Sequence, residues 1–209
     1  MTSAAAAGLL AGLLAGAVAA GQTAPAPPAN MERLEIGQLR SAAGVVENYR
    51  IRLLPVDSFP ALPPPVAAWL RELGCMIPQT FEAQQPENVI HGDFRAPGSG
   101  DWAALCSAGG ETTLYVFFAG QAGQFDTPIP LRSQPDTYWL GHEPGSSVFG
   151  SAWGISTGAA ADLRASSGIR AGFPIDHDGI EDAFLERSLT VRYFQAGRWQ
   201  ILFAEDFQQ

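Results

Sequence analysis

Asp101-Trp-Ala-Ala-Leu-Cys-Ser-Ala-Gly-Gly-Glu-Thr-Thr-Leu-Tyr-Val-Phe-Phe118 is the stretch that decides the fold. Two apolar runs, 102–107 and 112–119, flank Gly109-Gly110, a pair that supplies the positive φ angles of a two-residue hairpin turn. The expectation is an antiparallel hairpin. Residues 89–94 continue the same character upstream. Downstream, 183–194 and 199–204 flank Ala196-Gly197 and predict a second hairpin. Residues 49–54 alternate as a strand does, and 137–140 read as a short strand. Residues 120–124 and 128–135 read as loops.

Three segments carry helical spacing. In 31–44, Leu34, Leu39 and Ala43 fall on one side and Gly44 is a stop. Residues 56–65 hold four prolines and read as a rigid connector. The next segment, 66–73, places Val66, Trp69, Leu70 and Leu73 at helical spacing, with Gly74 suited to the left-handed cap. Ser156 or Thr157 is placed to cap a helix running to Ala165 and closed by Gly168. The expected class is α+β: antiparallel hairpins forming a sheet, with two or three helices, in one compact domain spanning 31–209.

The chain has 209 residues, 46% of them apolar and 16% charged, which excludes a disordered acidic tail. Its formal charge of -9 argues against nucleic acid as a partner, since that surface wants basic residues. Every basic side chain is Arg. Residues 1–30 carry no charged side chain, and 4–20 are only Ala, Gly, Leu and Val. That run suits a signal peptide over 1–20, with an uncleaved anchor as the alternative, followed by a Pro- and Ala-rich linker over 21–30. A periplasmic or secreted protein is the expectation, with no membrane contact beyond such an anchor. In an oxidising compartment the only two cysteines, Cys75 and Cys106, form one disulfide.

Two acidic loops repeat. His91-Gly-Asp-Phe-Arg-Ala-Pro-Gly-Ser-Gly-Asp101 leads into one hairpin, and Pro174-Ile-Asp-His-Asp-Gly-Ile-Glu-Asp182 leads into the other, with Asp101 and Asp182 offset by 81 residues. Both segments resemble the FG-GAP (VCBS-type) repeat of integrin-α-like proteins, in which alternating carboxylates and a Gly form a calcium loop feeding a strand-turn-strand unit. Calcium takes six to eight oxygens in a flexible cage, which explains that pattern. In the first loop Asp93, Asp101 and Gly98 keep the pattern, whereas Arg95 and Pro97 replace two ligands. In the second, Asp176, Asp178, Asp182 and Gly179 keep it and Pro174 does not. The resemblance implies a Ca²⁺ site at Asp176, Asp178 and Asp182, with Glu181 as a further carboxylate and Ile180 offering its carbonyl.

No histidine pair has zinc spacing, no Gly-x-Ser-x-Gly elbow occurs, and the absence of Lys excludes a Walker loop. The leading expectation is a non-enzymatic binding or structural module for an unknown ligand or protein. The alternative is a hydrolase in which His91, Asp93, Asp101, Asp176, His177 and Asp182 converge at one sheet edge. The aromatic residues offer a glycan or peptide groove or simply a core, and exposed strand edges offer pairing with other proteins.

Overall fold

In the computed structural model, which describes residues 31–40, 44–120 and 123–206, Gly109 and Gly110 take φ angles of 64° and 86°. They close the expected hairpin between β5 (Asp101–Ala108) and β6 (Glu111–Phe117). Asp136 locks this turn: its carboxylate accepts from Ser107 Oγ at 2.7 Å and Thr112 Oγ1 at 2.6 Å. The hairpin is the centre of a nine-stranded sheet. β7 (Ile129–Pro135) extends it beyond β6. On the other side of β5 lie β4 (Val89–Gly92) and β3 (Met76–Gln79). β3 pairs with β2 (Val46–Pro55), which also pairs antiparallel with β1 (Arg33–Arg40) and parallel with β9 (Val148–Ser151). β8 (Leu140–His142) completes the sheet against β9. A second sheet runs β10 (Trp153–Gly158), β11 (Gly179–Phe184), β12 (Ser188–Gln195) and β13 (Arg198–Asp206), all antiparallel.

Alternation along β5 and β6 sends side chains to two cores. Ala103, Leu105, Leu114 and Val116 face the second sheet and meet Trp153, Ile155 and Ile180. Ala104, Cys106 and Phe117 face the other way, onto Val66, Ala67 and Leu70 of α1 (Pro64–Glu72). The outer face of the second sheet is covered by Leu163 of α2 (Ala160–Ala165) and by Ile175, over Val191 and Tyr193. The molecule is thus a two-sheet sandwich with one short helix on each outer face.

The helix α1 forms where the spacing predicts. Its first residues are Pro64 and Pro65, whose missing N–H groups cost nothing in the first turn. Gly74, at φ 74°, ends it: its amide bonds Arg71 O and that of Cys75 bonds Leu70 O, both at 3.0 Å. This cap turns Cys75 inward, where it is disulfide-bonded to Cys106 with Cα atoms 5.3 Å apart. Closing 31 residues contributes about 3–4 kcal/mol in the chain-entropy treatment.

The α+β expectation is corrected: the described residues are 50% strand and 11% helical, with two α-helices and two sheets. Residues 33–40, expected as helix, are β1. Their apolar residues fall on both faces, so neither period is clean, and eight paired positions with β2 decide the state. Residues 153–158 form β10, and α2 begins only at Ala160. The segment 129–135 is a strand although Pro130 and Pro135 punctuate it; β7 is an edge, where an outward N–H is dispensable. The run 183–194 is broken by a tight turn at which Glu186 takes φ 61°, separating β11 from β12. The expected strand at 137–140 starts instead at Leu140. The second hairpin turn is as expected, with Ala196 and Gly197 at φ 51° and 79°. The signal and linker expectations for 1–30 lie outside the described residues. No helix among those described is long and apolar enough to cross a membrane.

Candidate functional site

The two acidic loops meet. The amide of Asp93 donates to the Asp178 carboxylate and the amide of Asp178 donates to Asp93 O, both at 3.1 Å. Each carboxylate then finds backbone donors. Asp93 accepts from Gly98 N at 2.7 Å and Gly100 N at 3.0 Å. Buried Asp101 accepts from the amides of Arg95 and Ala119 and from Ser99 Oγ. Asp178 also accepts from Ala160 N at 2.9 Å, at the start of α2. The resulting pattern is that of mutually braced turns, in which short acidic side chains satisfy amides the sheets leave over.

Asp182 does something different. It lies within the sandwich, with its side chain 1% exposed. Trp153 Nε1 donates to it at 2.7 Å, Arg192 Nε at 2.7 Å and Arg132 at 3.2 Å. Arg132 comes from β7 of the first sheet, and Trp153 and Arg192 from the second. Arg132 also lies over the Trp139 ring, 4.2 Å from its centroid. The four residues whose loop pattern implied calcium therefore face different partners. Asp182 binds two guanidinium groups, Asp178 two amides, and Glu181 accepts from Ser156 Oγ at 2.6 Å. Asp176 accepts from the His177 ring at 2.6 Å. Among the described residues no group of three or more His, Cys, Asp or Glu side chains is placed to hold a metal ion.

The histidines do not gather. His177 is buried, with Nδ1 against Asp176 and the Tyr193 hydroxyl and Nε2 at 2.8 Å from Phe194 O. Its ring stacks on Tyr193, and burial pushes the Tyr193 hydroxyl above its ordinary pKa, so it stays a donor. His91 lies on Trp102 and His142 on Phe149. Of the expected edge cluster, the structure joins only Asp176 to His177, and Asp93 bonds instead to Asp178, outside that cluster. It places Asp182 in the interior and Asp101 under the first loop.

Two features were not legible in sequence. Asn88, buried and at φ 69°, bridges the sheets: its amide group bonds Pro78 O and Trp153 O, and its Oδ1 accepts from Ile155 N. A cleft of about 260 Å³ opens between α1 and residues 124–128, lined by Pro65, Trp69, Phe117, Phe125, Asp126 and Thr127. Trp69 stands edge-on to Tyr115 and Phe117, with centroids at 5.0 and 5.5 Å. On the rim, Asp126 pairs with Arg95 at 2.8 Å. The chain matches no known protein family, no curated protein and no solved structure.

The braced loops set an acid dependence. The Gly98 and Gly100 amides hold the Asp93 carboxyl below its ordinary 3.8, and the His177 ring chiefly does the same for Asp176. Groups lowered in this way stabilise the fold above the ordinary value and lose that contribution as pH falls through their folded values. Acid titration should therefore erode stability below about 3.8. Asp93→Asn should be less stable than wild type at neutral pH and converge with it in acid, as followed by denaturant midpoints; a constant offset at every pH would contradict this. Thermal unfolding in excess calcium and in chelator should give the same midpoint, because protein donors already occupy the carboxylates. A rise of several degrees with calcium alone would instead place an ion in these loops.

Proposed function

We propose that this chain is an exported, non-enzymatic binding module that takes an uncharged, ring-bearing ligand of the saccharide class in the cleft beside Trp69. The observation that carries this reading is the cleft's lining, in which Trp69, Phe117 and Phe125 stand beside Gln124, Asp126 and Thr127. A sugar ring offers C–H faces that stack on aromatic rings and hydroxyl edges that need an amide, a carboxylate or a hydroxyl. None of the lining residues is basic, which disfavours an anion. The volume lies just below the roughly 300–1,000 Å³ usual for small-molecule sites, which fits a single ring-sized unit.

Two further features support the reading. The carboxylates and the buried histidine are committed to internal bonds, as a structural network requires. The Cys75–Cys106 bond belongs to an oxidising compartment, which agrees with periplasmic or secreted placement. Titration with soluble oligosaccharides of glucose, N-acetylglucosamine and galactose, read by tryptophan fluorescence, should saturate for at least one. Trp69→Ala should weaken it by about tenfold or more. Trp69 also packs on Phe117, so Asp126→Asn, which replaces a rim carboxylate and its exposed ion pair with Arg95 by an amide, should weaken it too with little change in thermal stability. No saturable response to any of the three, or unaltered affinity in both variants, would refute the assignment.

A further inference from the structure

Five of the eight large apolar side chains most exposed among the described residues, Met31, Leu34, Ile36, Val45 and Val46, lie on one hairpin. Ile36 is 71% exposed and Leu34 52%. Both point from the outer face of β1, beside Gln38 and Arg40. Among the described residues β1 pairs only with β2, so its other edge presents a row of open backbone donors and acceptors. The other long edges are guarded. β7 carries Pro130 and Pro135, and its pairing with β6 shifts register at Leu114/Tyr115. The β12–β13 pair shifts register at Val191/Arg192, and β13 ends in exposed Glu205 and Asp206. Prolines, bulges and charge are the usual devices against edge pairing. β1 has no proline and no break in register along its eight pairs.

We propose that the open edge of β1 pairs with the same edge of a second copy of this chain, antiparallel about a two-fold axis through Ile36. A two-fold normal to the sheet brings residues of one face opposite each other, so only even registers are allowed. Centring on Ile36 sets Glu32 opposite Arg40 of the other copy, and by symmetry does so twice. It also sets Ile36 against its own copy, a β-branched cross-strand pair. Moving the centre to Glu35 would oppose two like charges, and moving it to Gly37 would leave both arginine ends without an acid. Centring on Leu34 would also oppose opposite charges, Arg33 and Glu35, but would pair only residues 31–37 of the described strand against 32–40 for Ile36, so charge and length of overlap together select the Ile36 register, in which the apolar side chains of the two hairpins form a continuous strip beside the axis. Glu32 and Arg40 are both exposed and available for it, Glu32 bonding Arg52 at 2.8 Å and Arg40 the Gly44 carbonyl at 3.1 Å in the single chain.

Sedimentation equilibrium of the full chain should show a reversible dimer. Glu32→Arg and Arg40→Glu should each raise its dissociation constant by about tenfold, two like-charge contacts replacing two opposite ones. The double swap, which restores both contacts, should return it towards the wild-type value. Ile36→Lys should abolish the dimer while leaving the thermal midpoint of the monomer unchanged, since the side chain is exposed. A chain that stays monomeric at its highest soluble concentration, as it would if another segment covered the edge, overturns the proposal. So does a dimer indifferent to Ile36→Lys or not restored by the double swap.

Discussion

The carboxylate of Asp182 is the constraint on which the sandwich depends. It belongs to β11, yet its donors come from three other strands: Trp153 of β10, Arg192 of β12 and Arg132 of β7. The last of these crosses from one sheet to the other. A buried acid is costly unless every oxygen is served, and here two guanidinium groups and an indole N–H serve it. The arrangement fixes how the sheets register. A slide of one over the other would part Asp182 from Arg132, the one donor that reaches it from the first sheet, while Trp153 and Arg192 would move with it.

Apolar packing supplies the bulk of the stability around that point. Leu105, Leu114, Val116 and Ile180 are fully buried between the sheets, each contributing about 1.5–3 kcal/mol. Such packing is non-directional and tolerates alternative registers, whereas the Asp182 cluster does not. Asn88 repeats the principle at the edge where β4 approaches β10, with one amide side chain satisfying three backbone groups from both sheets. The disulfide fastens the outer helix to the same central strand from the opposite face. Asp101, Asp136 and Asp182, the buried acids among the described residues, are each bonded within the fold, whereas the aromatic cleft and the open β1 edge lie at its surface.

Local chemistry made part of this legible. Gly109-Gly110 and Gly197 announce their turns because glycine takes φ above zero at little cost, and 66–73 announces a helix because prolines precede it and Gly74 ends it. Strand β1 was hidden because Leu34 and Ile36 point outward and Leu39 inward, so its pattern fits a helix as well as a strand. Strand β7 was hidden by its prolines, which an edge tolerates. The acidic loops stand out in sequence by their alternating carboxylates, while the partners that the fold brings to them do not. The sequence shows Asp176, Asp178 and Asp182 at ligand-like spacing; it cannot show that Arg132, 50 residues away, arrives to bond the last of them. The aromatic cleft was equally out of reach, since its walls come from residues far apart along the chain.

Equilibrium denaturant unfolding of Asp182→Asn beside the wild type measures how far the two sheets depend on this carboxylate. A loss of about 3–5 kcal/mol is expected, because a buried site loses the charge that two part-buried arginines bond while the shape of the side chain is kept. Tryptophan fluorescence and far-ultraviolet circular dichroism of the wild type should report one coincident transition, since the sheets are joined through this group. A variant as stable as the wild type would contradict the account, and show that apolar packing alone sets the register of the two sheets.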